Sequence, residues 1–120
     1  MKSGALLFVD DEVELLDLYR TVFGREGYQV LTADTLSEAR RLIRAGGIAA
    51  LILDIRMGDG SGLHLLRELK ATHPTLSVIL NTAFARYQDE FTAWLANSYV
   101  VKSSDLTQLK GAVKRCLEDT

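Results

Sequence analysis

The sequence predicts an α/β domain in three layers, a doubly wound parallel sheet of five strands with helices on both faces. Three observations predict it. Apolar runs of about five residues alternate with longer stretches of helical period, five times over. Parallel neighbours need long crossovers, which helices usually fill, so consecutive βα units call for a parallel sheet. Ala49-Ala50-Leu51-Ile52-Leu53 is apolar at every position, as in a strand covered on both faces. Right-handed crossovers then place helices on both sides.

Each element follows from its residues. Ala5 to Val9 is the first strand. Leu15, Leu18, Tyr19, Val22 and Phe23 fall at helical spacing, with Asp11 as N-cap, Glu14 three residues on, and Gly24 or Gly27 as the stop. Tyr28 to Ala33 is the second strand. Thr35 and Glu38 form a second capping box before the stripe Leu36, Ala39, Leu42 and Ile43, which Gly46-Gly47 ends. Ala49 to Leu53 is the third strand, followed by the loop Gly58-Asp59-Gly60-Ser61-Gly62. The next helix carries Leu63, Leu66 and Leu69 and stops before Pro74, which disfavours helical geometry at His73. Leu76 to Leu80 is the fourth strand. Tyr87, Phe91, Trp94 and Leu95 mark a fourth helix, Tyr99 to Val101 a fifth strand, and Leu106, Leu109, Val113 and Leu117 the last helix.

Composition bounds the function. With 120 residues, 48% apolar and 25% charged, one core suffices, and residues 1–120 are expected to form one domain. The longest apolar runs, such as Ile48 to Leu53, fall far short of the ~20 residues of a membrane span. No secretory signal is read at Met1-Lys2-Ser3-Gly4, and the single Cys116 excludes an internal disulfide. A cytoplasmic location is expected. Fourteen basic and sixteen acidic residues give a formal charge of −2, and Arg40-Arg41 with Arg44 reads as a solvated helix face. Direct nucleic-acid binding is not expected.

Polar residues stand just past the carboxyl ends of strands: Asp10 and Asp11 after the first, Asp54 after the third, Asn81 and Thr82 after the fourth, Lys102 after the fifth. A parallel sheet brings them to one edge, where open α/β folds bind ligands. Their convergence carries more information than any one of them. Clustered carboxylates repel, so such a site takes up protons or a cation. Oxygen-only ligands suit a hard ion, with Mg²⁺ the natural choice. A carboxylate such as Asp54 also serves as nucleophile on phosphorus, with a hydroxyl and an ammonium beside it to receive the transferred group.

Phe8-Val9-Asp10-Asp11-Glu12, Leu53-Asp54-Ile55-Arg56-Met57 followed by Gly62, Asn81-Thr82-Ala83 and Tyr99-Val100-Val101-Lys102 resemble the receiver domains of two-component response regulators. The resemblance spans essentially the whole chain, with the motifs in order. It implies the CheY-like, flavodoxin-like strand order 2-1-3-4-5, with the first and third strands at the switch point. It implies that Asp54 is the phosphoacceptor for the phosphohistidine of a sensor histidine kinase or phosphotransfer protein. Asp11 and Asp54 would bind Mg²⁺ directly, Asp10 mainly through water, and the Arg56 backbone carbonyl would complete the protein ligands. Lys102 would pair with the phosphoryl group, Thr82 would move to hydrogen-bond it, and Tyr99 would change rotamer. The fourth helix, fifth strand and fifth helix would form the surface that meets an output domain, an effector or a second copy in a homodimer.

Two positions depart from the family pattern. Ser103 follows Lys102 where proline is usual. A cis bond without proline costs roughly 2.5–4 kcal/mol, so Lys102–Ser103 is expected to be trans. Gly58 replaces a common proline, and a more mobile loop is expected there. Phe84 and Arg56, two residues past Thr82 and Asp54, would restrict attack by water and slow loss of the phosphoryl group. Phe91 and Trp94 read as a packed helix face, with a partner-binding patch as the competing reading. His64 and His73 read as surface residues and Cys116 as core filling. Gly58 to Gly62 lacks the Gly-Lys-Ser/Thr of a P-loop.

Two other functions compete with a phosphorylated switch. One is a receiver-like interaction module that takes no phosphate. The other is a phosphohydrolase of the haloacid dehalogenase type, which needs a second Asp where Arg56 stands.

Overall fold

A computed structural model describes residues 3–118; Met1, Lys2, Asp119 and Thr120, which belong to the expected domain 1–120, lie outside the described residues. Five parallel strands, β1 (Ala5–Val9), β2 (Val30–Ala33), β3 (Ile48–Leu53), β4 (Ser77–Thr82) and β5 (Ser98–Val101), lie side by side in the order β2-β1-β3-β4-β5. Four α-helices, α1 (Val13–Arg25), α2 (Leu36–Ala45), α3 (Gly62–Thr72) and α4 (Thr107–Glu118), cover the sheet. The fold is the expected doubly wound α/β architecture.

Pleating sorts the apolar runs into two cores. Leu7, Val9, Leu51, Leu53, Val78 and Leu80 meet α2 and α3, while Leu6, Phe8, Ala50, Ile52 and Ile79 meet α1 and α4. Because β1, β3 and β4 lie inside the sheet, both faces of each are buried, and alternation disappears from their sequences. Register then levels the strand ends. Val9 pairs with Leu53 and Leu53 with Leu80, so whatever follows each strand emerges at one edge.

Several elements differ in detail from expectation. The β2, β3 and β5 boundaries shift by one or two residues, and Asn81 and Thr82 are the last residues of β4 rather than past its end. In α1 the buried residues are Leu16, Tyr19 and Phe23, whereas Leu18 is exposed. In α3 Leu65 is buried beside Leu66 and Leu69, and Leu63 is half-buried. Asp11 is not the N-cap of α1. Asp10 Oδ1 accepts the Glu12 N–H at 2.9 Å, which moves the cap position to Glu12. The Thr35 cap forms as expected, but the Glu38 carboxylate turns to Arg41.

The expected fourth α-helix is replaced by two 3₁₀ turns, Ala85–Asp89 and Phe91–Leu95, separated by Glu90 in extended conformation. Phe91, Thr92 and Trp94 are weak helix formers. The Trp94 indole N–H also donates to the Gln88 carbonyl at 3.0 Å, taking an acceptor a continuous helix would use. Ala93 and Tyr87 pack against the core, while Phe91 is 79% and Trp94 69% exposed. The packed-face reading of these two aromatics is therefore corrected. Cys116 is buried in the α4 stripe, and His64 is exposed.

Candidate functional site

Each side chain reaches the site through the register just described. Asp54 N–H donates to the Val9 carbonyl at 3.0 Å, which sets Asp10 and Asp54 side by side where β1 and β3 end. Lys102 N–H donates to the Thr82 carbonyl at 2.7 Å, which brings the end of β5 to the end of β4. Asp10, Asp11 and Asp54 each offer a carboxylate oxygen, and these oxygens lie within 4.8 Å of one another. Asp10 and Asp54 are buried and Asp11 is exposed.

Lys102 supplies the positive charge. Its Nζ lies 2.7 Å from Asp10 Oδ2, 3.0 Å from Asp54 Oδ2 and 3.3 Å from Glu12 Oε1. Burial works against the ammonium, but the Asp10 and Asp54 carboxylates beside it prevail and hold its pKa well above the ordinary lysine value. Burial raises the Asp54 carboxyl above the usual range, despite the opposing Lys102 ammonium and an Ile55 N–H bound to Oδ1 at 2.8 Å. Asp10 Oδ2 meets Lys102 as an ion pair, in an orientation that makes no hydrogen bond, and has no other polar partner. A buried carboxylate oxygen left this way, in an all-oxygen donor set, fits a hard cation such as Mg²⁺.

Of the remaining predicted residues, Thr82, Tyr99 and Arg56 meet at Phe84. Thr82 is fully buried, and its Oγ1 accepts the Phe84 N–H at 3.4 Å. The Tyr99 hydroxyl donates to the Phe84 carbonyl, so Phe84 is tied at both backbone ends. The Arg56 and Arg86 guanidiniums lie 5.0 and 4.6 Å from the Phe84 ring centroid, which links the loops after β3 and β4. Asn81 does not join the site: its side chain faces α1 and donates to the Tyr19 hydroxyl at 3.0 Å. Glu12, which closes the Asp10-Asp11-Glu12 motif, also pairs with Lys102, a contact to which its place directly after the two aspartates is the signal in the sequence. Lys102–Ser103 is trans, since no cis peptide bond occurs among the described residues. Ser103 therefore does not displace Lys102 from the carboxylates.

An open α/β domain with an acidic, lysine-bridged pocket at its switch point is the class that this fold and site define. The chain belongs to the response regulator receiver domain family, whose model matches residues 6–114. The alginate biosynthesis transcriptional regulatory protein AlgB of Pseudomonas aeruginosa is 32% identical over 119 residues, covering 98% of this chain and 26% of AlgB. The chain thus spans only the smaller part of that relative's length. The structure resembles that of response regulator TrrA from Thermotoga maritima in complex with Mg²⁺-BeF, with TM-score 0.91 and 35% identity over 95% of this chain and 99% of that one. It also resembles TrrA in complex with the histidine kinase ThkA, with TM-score 0.90 and 35% identity over 96% and 99%. No helix among the described residues is long and apolar enough to cross a membrane.

Proposed function

We propose that residues 1–120 form one cytoplasmic receiver domain of a two-component phosphorelay, in which Asp54 accepts a phosphoryl group from a histidine kinase or phosphotransfer protein. The observation that carries this reading is the meeting of Asp10, Asp11, Asp54 and Lys102 at one sheet edge. The likeness to TrrA, solved both with Mg²⁺-BeF and in complex with the histidine kinase ThkA, supports it.

Asp10, Asp11 and Asp54, with the Arg56 carbonyl, would hold Mg²⁺, which when bound offsets negative charge on the transferred group. A carboxylate oxygen of Asp54 forms a bond to phosphorus as the donor's P–N bond breaks, and that bond's electron pair stays on the donor imidazole. Lys102 keeps its proton and pairs with the phosphoryl oxygens. The Thr82 hydroxyl leaves the Phe84 N–H to donate to the same group. Tyr99 follows through the Phe84 carbonyl, and the surface of residues 85–95, β5 and α4 changes toward an output domain or effector. This chemistry is confined to the chain's own Asp54, with no external substrate turned over.

Incubation with Mg²⁺ and acetyl phosphate, followed by intact mass, tests the reading. One added phosphoryl group on the wild type and none on Asp54→Asn is the expected result. A wild type that gains no mass, from this donor or from a kinase, would leave a phosphate-independent interaction module in its place.

A further inference from the structure

The loop between β3 and α3 is braced at both ends. Arg56–Met57 and Gly60–Ser61 form a short antiparallel ladder, with Arg56 opposite Ser61 and Met57 opposite Gly60. At its base the Gly62 N–H donates to the Ile55 carbonyl at 2.6 Å. At its tip Asp59 crosses to another βα unit, where Oδ1 accepts the Leu36 N–H at 2.9 Å and Oδ2 the Ser37 N–H at 3.1 Å. Thr35 Oγ1 takes the Glu38 N–H at 3.0 Å, so the first three N–H groups of α2 are all occupied.

The first turn of a helix favours a carboxylate, both for its unpaired N–H groups and for its dipole. These N–H groups, Leu36 first, hold the Asp59 carboxyl below the usual range. The hairpin also sits close against α2: a Cβ on Gly60 would lie 3.2 Å from Leu36 Cδ1. Gly58, Gly60 and Gly62 make this loop costly to order without such anchors. The positive φ falls at Gly60, not at Gly58 where conformational freedom was expected.

We infer that Asp59, which lies outside the acidic pocket, is a positioning residue for its cation: by holding the hairpin to α2 it sets the backbone of Arg56 relative to Asp54. The inference rests on the receiver reading, which gives the Arg56 carbonyl to Mg²⁺. With Asp59 removed, the glycine-rich loop samples many arrangements, and binding the ion must select one of them.

Titration calorimetry with Mg²⁺ alone, on the wild type and three variants, tests this. Asp59→Ala is expected to bind Mg²⁺ roughly tenfold more weakly, as when an outer partner of a metal ligand is lost. Asp59→Asn keeps one acceptor oxygen and is expected to fall between, which also guards against misfolding of the alanine variant. Thr35→Ala removes a cap from the same helix end but leaves the hairpin tied, so it is expected to melt lower and bind Mg²⁺ as the wild type does. Unchanged affinity in Asp59→Ala, or an equal loss in Thr35→Ala, would overturn the inference while leaving the receiver reading intact. A wild type that binds no Mg²⁺ would overturn that reading, and this inference with it.

Discussion

Lys102 Nζ stands 3.0 Å from Asp54 Oδ2 while also contacting Asp10, so one ammonium is shared by two buried carboxylates. Half a cation's attraction does not offset the burial of Asp54, whose carboxyl is raised above 3.8. The folded state therefore favours the protonated form more than the unfolded chain does. The associated stability is full below the unfolded value and is lost as pH rises through the folded one. Near neutrality the ionised Asp54 costs stability. Asp54→Asn is expected to melt above the wild type in Mg²⁺-free buffer, with the gap closing as pH falls toward 3.8. Thermal unfolding across that range checks it, and a gap independent of pH would count against the account.

Phe84 is held by Thr82 and Tyr99 through its backbone and by two guanidiniums through its ring. On the sequence reading that Phe84 restricts attack by water at Asp54, truncating it removes that barrier. Phe84→Ala is expected to shorten the phosphorylated lifetime roughly threefold to tenfold, equivalent to ~0.7–1.4 kcal/mol in the barrier. Loss of phosphoryl mass with time measures this, and an unchanged lifetime would remove the role given to Phe84.

A Cβ on Gly62 would lie 2.0 Å from the Asp54 carbonyl oxygen, closer than any packing tolerates. Backbone on both sides must shift. Gly62→Ala is expected to lose about 3–5 kcal/mol in urea unfolding, at the severe end for single substitutions. A loss below ~1 kcal/mol would show that α3 moves aside freely.

Tyr19 and Asn81 form a buried polar pair within the apolar core between the sheet and α1. Tyr19→Phe leaves the Asn81 amide without its acceptor and is expected to cost about 1–3 kcal/mol. Tyr19→Phe with Asn81→Leu removes both polar groups and is expected to recover most of that loss. Additive losses in the double-mutant cycle would rule out coupling.

The central strands were legible because a strand buried on both faces leaves an unbroken apolar run, as in Leu51-Ile52-Leu53. The site was legible because every parallel strand delivers its next residue to one edge, so Asp10, Asp54 and Lys102 follow once the strands are placed. Asp11 looked like a helix cap because the same residue type serves both ends; only the capture of the Glu12 N–H by Asp10 decides between them. Asp59 carried no local sign of its function, since its partners Leu36 and Ser37 lie in another βα unit. Phe91 and Trp94 kept helical spacing without a helix, because spacing is blind to whether carbonyls such as that of Gln88 are taken by a side chain.

The chain has one tryptophan, and it projects from the connection between β4 and β5, where solvent reaches most of its ring. Indole emission shifts to shorter wavelength when water leaves the ring. Trp94 thus makes the protein its own fluorescent gauge: any molecule seated over that connection announces itself in the unlabelled chain's spectrum.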